Sequence, residues 1–94
     1  MGDQTANMNI NNAIIGLNAA SKEISSGIKI IKAHDLVVFL TSNFNNLSNE
    51  QKSTICDLLK PIILDAQEHL SHIQANFVSE SLQLFNRFVN MYEH

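Results

Sequence analysis

Residues 10–31 read INNAIIGLNAASKEISSGIKII. Within them Ile10, Ile14, Leu17, Ser21, Ile24, Ile28 and Ile31 recur at alternating spacings of four and three. That is a heptad stripe with one polar member, Ser21, and it predicts a helix built to press on another helix. A second row of small residues, Ala13, Ala20 and Gly27, runs beside it at intervals of seven. A large row next to a small one lets a neighbouring backbone come close. Gly16 also falls inside the expected helix, and the pattern gives it no purpose.

Past Ile31 the apolar row shifts by one residue, to Ile30, Ala33, Val37, Leu40, Phe44 and Leu47. One residue of offset turns the apolar face by about 100°. A continuous or merely kinked helix accommodates this; the alternative is a break at His34-Asp35, with Asp35 as the cap. The run Leu36-Val37-Val38-Phe39-Leu40 has no second strand-like run to pair with, so it is read as helix. The asparagine-rich turn at 44–48 closes the first arm. Ser48 with Gln51 three residues on is a capping box that opens a helix at Asn49.

The second arm carries Ile55, Leu59, Ile62, Ala66, Leu70, Ile73 and Phe77, then Leu84, Phe88 and Met91, at an average step near 3.6. Pro61 predicts a kink or short break near 57–60. A second row, Val78, Leu82, Phe85, Val89 and Tyr92, widens the apolar face toward the C-terminus. The expected fold is all-α. Residues 1–7 form a disordered tail, and 8–94 a single helical domain, a hairpin with arms at about 8–43 and 49–92. Such a hairpin has little interior of its own, so it either folds back at His34 and Pro61 into a three- or four-helix monomer or, as expected here, completes a helical bundle by dimerisation.

Composition narrows the function. The chain has 94 residues and a net charge of −3, which disfavours nonspecific binding to nucleic acid or to an anionic membrane. A chain this short buries only about 60–65% of its unfolded surface, so its core gains from a partner. No stretch approaches the roughly 20 apolar residues of a membrane span, and no signal peptide precedes the first helix. The single cysteine, Cys56, suits a reducing compartment, and a cytoplasmic location is expected.

Little in the chain suggests catalysis. No phosphate loop or nucleophile elbow is present, and Cys56 sits between Ile55 and Leu58 on an amphipathic pattern. One cluster has metal-ligand chemistry: Asp65, Glu68, His69 and His72, which share a face if the helix continues through them. Their bland reading is a solvated face with i,i+4 pairs. Lys22, Lys29 and Lys32 make a short basic edge, interrupted by Glu23, which is weak support for a DNA-binding regulator. The sequence therefore reads as a non-catalytic interaction module, a small adaptor, chaperone or inhibitor. It requires no cofactor, takes another protein as partner, and forms a homodimer. Its expected interaction face is Ile10, Ile14, Leu17, Ile24, Ile28, Ile31, Phe77, Phe85, Phe88 and Tyr92. The alternatives are the metal-binding bundle and the small DNA-binding regulator.

Overall fold

The computed structural model describes residues 9–73 and 75–93; the expected tail at 1–7 lies outside them. Among the described residues the chain is all-helical, with four α-helices and no strand. They are α1 (Ile10–Ser21), α2 (Ser26–Ser42), α3 (Asn49–His69) and α4 (Asn76–Glu93), with a 3₁₀ turn at Phe44–Asn46. No helix among them is long and apolar enough to cross a membrane.

The first expected arm is two helices, and the break falls at 22–25, ahead of His34. The chemistry of the break is local. Asn9 caps α1, its Oδ1 accepting from the Asn12 amide at 2.8 Å. At the far end the Lys22 and Glu23 amides donate back to the Ala19 and Ala20 carbonyls, which tightens the last turn. Ser25 then takes an extended conformation and its hydroxyl accepts from the Ile28 amide at 3.3 Å, starting α2. A serine whose side chain can replace a backbone partner favours such a restart over the middle of a helix.

This break resolves the one-residue offset. With the chain folded back on itself, Ala13, Leu17 and Ala20 of α1 and Ile30, Ala33, Val37 and Leu40 of α2 are all buried in one core. α1 packs chiefly on α2, and also on α3. Gly16 gains a purpose here. A Cβ built on it would lie 3.0 Å from Leu36 Cδ1, so the missing side chain is what lets Leu36 of α2 settle against α1. Gly27, by contrast, faces open space, with only Ser25 Oγ at 3.8 Å, so it is not part of a close-packed small row. Gly16→Ala should change stability by less than about 1 kcal/mol, because the helix propensity gained offsets a small shift of a flexible leucine. Gly16→Val should lose about 1–3 kcal/mol by overpacking. Urea denaturation of both variants checks the pair, and a neutral valine variant would contradict the close approach of α1 and α2.

The turn at 43–48 is as expected. Asn43 ends α2, its Nδ2 donating to the Phe39 carbonyl at 2.8 Å. Ser48 and Gln51 form the reciprocal box, the Gln51 amide donating to Ser48 Oγ at 3.1 Å and the Ser48 amide to Gln51 Oε1 at 2.8 Å. α3 continues through Pro61 without the expected break. Pro61 and Asp57, whose carbonyl loses its helical partner, are both on the exposed side, where water can satisfy that carbonyl.

The second expected arm breaks as well, at 70–75. The Leu70 amide closes on the Ala66 carbonyl at 2.7 Å, and the Ile73 amide on the Leu70 carbonyl at 3.0 Å. α4 then returns against α2 and α3. Its inner face buries Ser81, Phe85, Phe88 and Val89. Ser81 fills the gap in the sequence row between Phe77 and Leu84. Its hydroxyl lies 2.8 Å from His34 Nδ1 on α2, a polar clip across an apolar interface. Lys60 and Glu93 pair at 2.6 Å and hold the end of α4 to α3. The radius of gyration, 13.1 Å, is that of a chain folded on itself.

Candidate interaction surface

Folding back covers most of the apolar rows; of the large apolar residues left exposed among the described ones, Ile15 on α1, Leu64 on α3, Ile73, and Met91 on α4 stand apart, while four fall on α2 and the corner before it. Ile24, in the α1–α2 corner, is 98% exposed. Ile28 is 41% exposed, Ile31 62% and Val38 44%. On α2 the spacings of three and seven put Ile28, Ile31 and Val38 on one line, with exposed Asp35 at the missing step, and Ile24 stands just before the helix. The buried row of α2 leaves this line on the outer side. Phe77, 41% exposed at the start of α4, borders the same surface, since its ring stacks on His34 at 4.8 Å between centroids. His34 lies three residues beyond Ile31 and four before Val38.

The rim is charged and mixed in sign. Lys32 Nζ meets Glu23 Oε2 at 2.6 Å, and Lys22 and Asp35 are exposed nearby in the chain. Lys29 turns away, toward Asp65 Oδ2 of α3 at 3.5 Å. With Lys29 tied to Asp65 and Lys32 to Glu23, the expected basic edge is not an open row of cations.

The expected interaction residues therefore separate into three groups. Ile24, Ile28, Ile31 and Phe77 are exposed together. Ile10, Ile14 and Tyr92 are partly buried against the chain's own core. Leu17, Phe85 and Phe88 are fully buried within it and cannot meet an outside partner. The spacing alone could not show this division, because a heptad stripe looks the same whether its helix is straight or folded in the middle. Val38 also belongs to the surface, though the sequence marks it only as a member of the helical run 36–40; its i+7 relation to Ile31 is the available signal.

The acidic and imidazole side chains of α3 do not converge. Among the described residues no group of three or more His, Cys, Asp or Glu side chains is placed to hold a metal ion. The physical reason is that α3 ends at His69, so His72 lies beyond the helix and its helical relations to Asp65, Glu68 and His69 fail. Asp65 is committed elsewhere: its Oδ1 lies 3.2 Å from His69 Nδ1, and its Oδ2 faces Lys29. The Ser26 hydroxyl, and behind it Lys29, hold the Asp65 carboxyl below the usual carboxylate range against the partial burial that pushes it up.

This predicts a pH dependence with a definite sign. A carboxyl depressed in the folded state stabilises it above the unfolded-state value, near pH 4, and the contribution is lost as pH falls through the folded value. Asp65→Asn should lower stability by about 1 kcal/mol at neutral pH. The difference from the parent chain should shrink below about pH 4. Denaturation midpoints from pH 7 to 2 check this, and a difference independent of pH would contradict it.

Cys56 is a buried thiol on α3, and burial, then the Glu93 charge, push its pKa up. That is the opposite of an activated nucleophile. A shallow surface concavity of about 720 Å³ runs along the outer side of α4. It is lined by Leu82, Gln83, Asn86, Arg87, Met91 and other residues of that one helix, so it is a groove on a helix face. Comparison with known protein families, curated proteins and solved structures gives no match for this chain.

Proposed function

We propose that this chain is a non-catalytic protein–protein interaction module, a small adaptor, chaperone or inhibitor that works by presenting α2 to a protein partner. One observation carries this: Ile28, Ile31 and Val38 lie exposed in a single line on α2, with exposed Ile24 just before it, in a chain whose other long apolar rows are largely turned inward. Scattered exposed apolar residues are ordinary, but a line of them on one helix is the pattern by which a helix docks on another protein. Binding buries the isoleucines, and the mixed charges at the rim, Lys22, Glu23, Lys32 and Asp35, select among partners. The buried, unpaired Cys56 suits work in a reducing compartment such as the cytoplasm.

The test is retention of proteins from native lysate by the tagged chain, compared with a variant carrying Ile28→Asp and Ile31→Asp. Proteins held by the parent chain and lost from the variant support the function. Identical retained sets would overturn it.

A further inference from the structure

We infer that the partner on α2 is a second copy of this chain, so that the module is a homodimer joined through its two α2 helices; this rests on the functional reading above, that α2 is the docking face. Three observations point to a second copy.

The first is area. At their exposures, Ile24, Ile28, Ile31, Val38 and Phe77 leave on the order of 500 Å² of apolar surface in water, toward the upper end of what a monomer shows in one patch. Two such faces set together remove on the order of 1,000 Å². With their polar rims the pair enters the roughly 1,200–2,000 Å² class of stable, specific contacts.

The second is spacing. Within α2, positions 28, 31, 35 and 38 are spaced three, four and three, so knobs at these positions fit the holes of a helix with the same spacing. α2 offers that spacing on its exposed side, whereas the rows of α1, α3 and α4 are largely spent on the chain's own core. A contact between identical faces closes after two copies.

The third is charge. Lys22, Glu23, Lys32 and Asp35 balance, so the face is locally neutral although the whole chain carries −3. Two copies therefore meet there without adding net charge to the contact. An antiparallel pairing centred between Lys32 and Asp35 brings Ile28 level with residue 39, within one residue of the second copy's Val38. It also brings each Asp35 near the other copy's Lys32, so the acidic residue in the apolar line is matched by a base.

Sedimentation equilibrium of the full chain across micromolar concentrations tests this. The expected result is a species of twice 10.5 kDa. Ile31→Asp should weaken association by about tenfold or more and return the chain to 10.5 kDa. Because Ile31 is exposed, its circular dichroism should not change. Met91→Asp, in the groove on α4, should leave the pair intact. A parent chain at 10.5 kDa throughout would overturn the second copy, as would a dimer that survives Ile28→Asp and Ile31→Asp but dissociates with Met91→Asp. If the parent chain is monomeric yet retains a lysate protein that the α2 variants lose, the second copy fails and the docking function stands. If it is monomeric and no such protein exists, both fail.

Discussion

Leu17→Asp should unfold the chain, while Ile24→Asp, seven residues further along the same heptad stripe, should leave it folded. Leu17 is 0% exposed in the core between α1 and its neighbours. A carboxylate there has no base to pair with and loses its hydration, so the cost is on the order of 5 kcal/mol or more. The whole stability of a domain this size is about 5–14 kcal/mol. Ile24 is 98% exposed in the corner at 22–25, so aspartate there keeps its water and removes almost no buried contact. Its effect on intrinsic stability should stay within about 0.5 kcal/mol. Thermal melts followed by circular dichroism decide the matter, at concentrations low enough to keep copies apart, since association raises apparent stability. Equal and large losses in both variants would mean that 10–31 is one continuous helix with one buried stripe. The contrast tests the corner itself, which places the first half of the stripe in the core and the second half on the surface.

That corner also marks where the sequence stops being legible. Helical class, the turn at 43–48 and the Ser48–Gln51 box all follow from signals within a few residues of one another, and each is present. The two further breaks rest on weaker chemistry. Ser25 caps α2 without a glutamate or glutamine three residues on, because Ile28 occupies that place. At 70–75 neither proline nor glycine punctuates the turn, and Ser71, His72 and Asn76 signal it only faintly. The sequence did carry the offset between the rows at 17–20 and 30–33, but a local pattern cannot say whether a helix swings its face or the chain doubles back. Tertiary burial decides, because doubling back covers both rows with the chain's own side chains. The same fold removes part of the case for a partner. The rows at 30–47 and 78–92, which looked too large for so small a chain to hide, are mostly covered within it. His34 and Ser81 were illegible for a different reason. They are 47 residues apart, and nothing local marks a serine in an apolar row as the mate of a distant histidine.

Phe88→Ala should be among the most damaging truncations in the chain, with a loss of about 3–5 kcal/mol. The ring is 0% exposed, and close packing means that the space it leaves is only partly refilled. It also meets the edge of Phe44 at 5.3 Å between centroids, at 73°, a geometry that adds about 0.5–1.5 kcal/mol beyond area burial. Phe44 belongs to the turn at 43–48, and the ammonium of Lys52, from the first turns of α3, sits 4.3 Å above its ring. One side chain of α4 therefore props the connection between the two halves of the molecule. The variant should lose global stability and should also lose protection selectively in the turn. Amide exchange at 43–48 should rise toward the unprotected rate before the middle of α3 opens. Phe77→Ala, on a ring 41% exposed at the other end of α4, should cost about 1 kcal/mol or less and leave that turn protected. Urea denaturation gives the first quantity and hydrogen exchange the second. A loss below about 1.5 kcal/mol for Phe88→Ala would show that the core around α4 is loosely packed. Unchanged exchange at 43–48 would show that Phe44 is held by Lys52 alone.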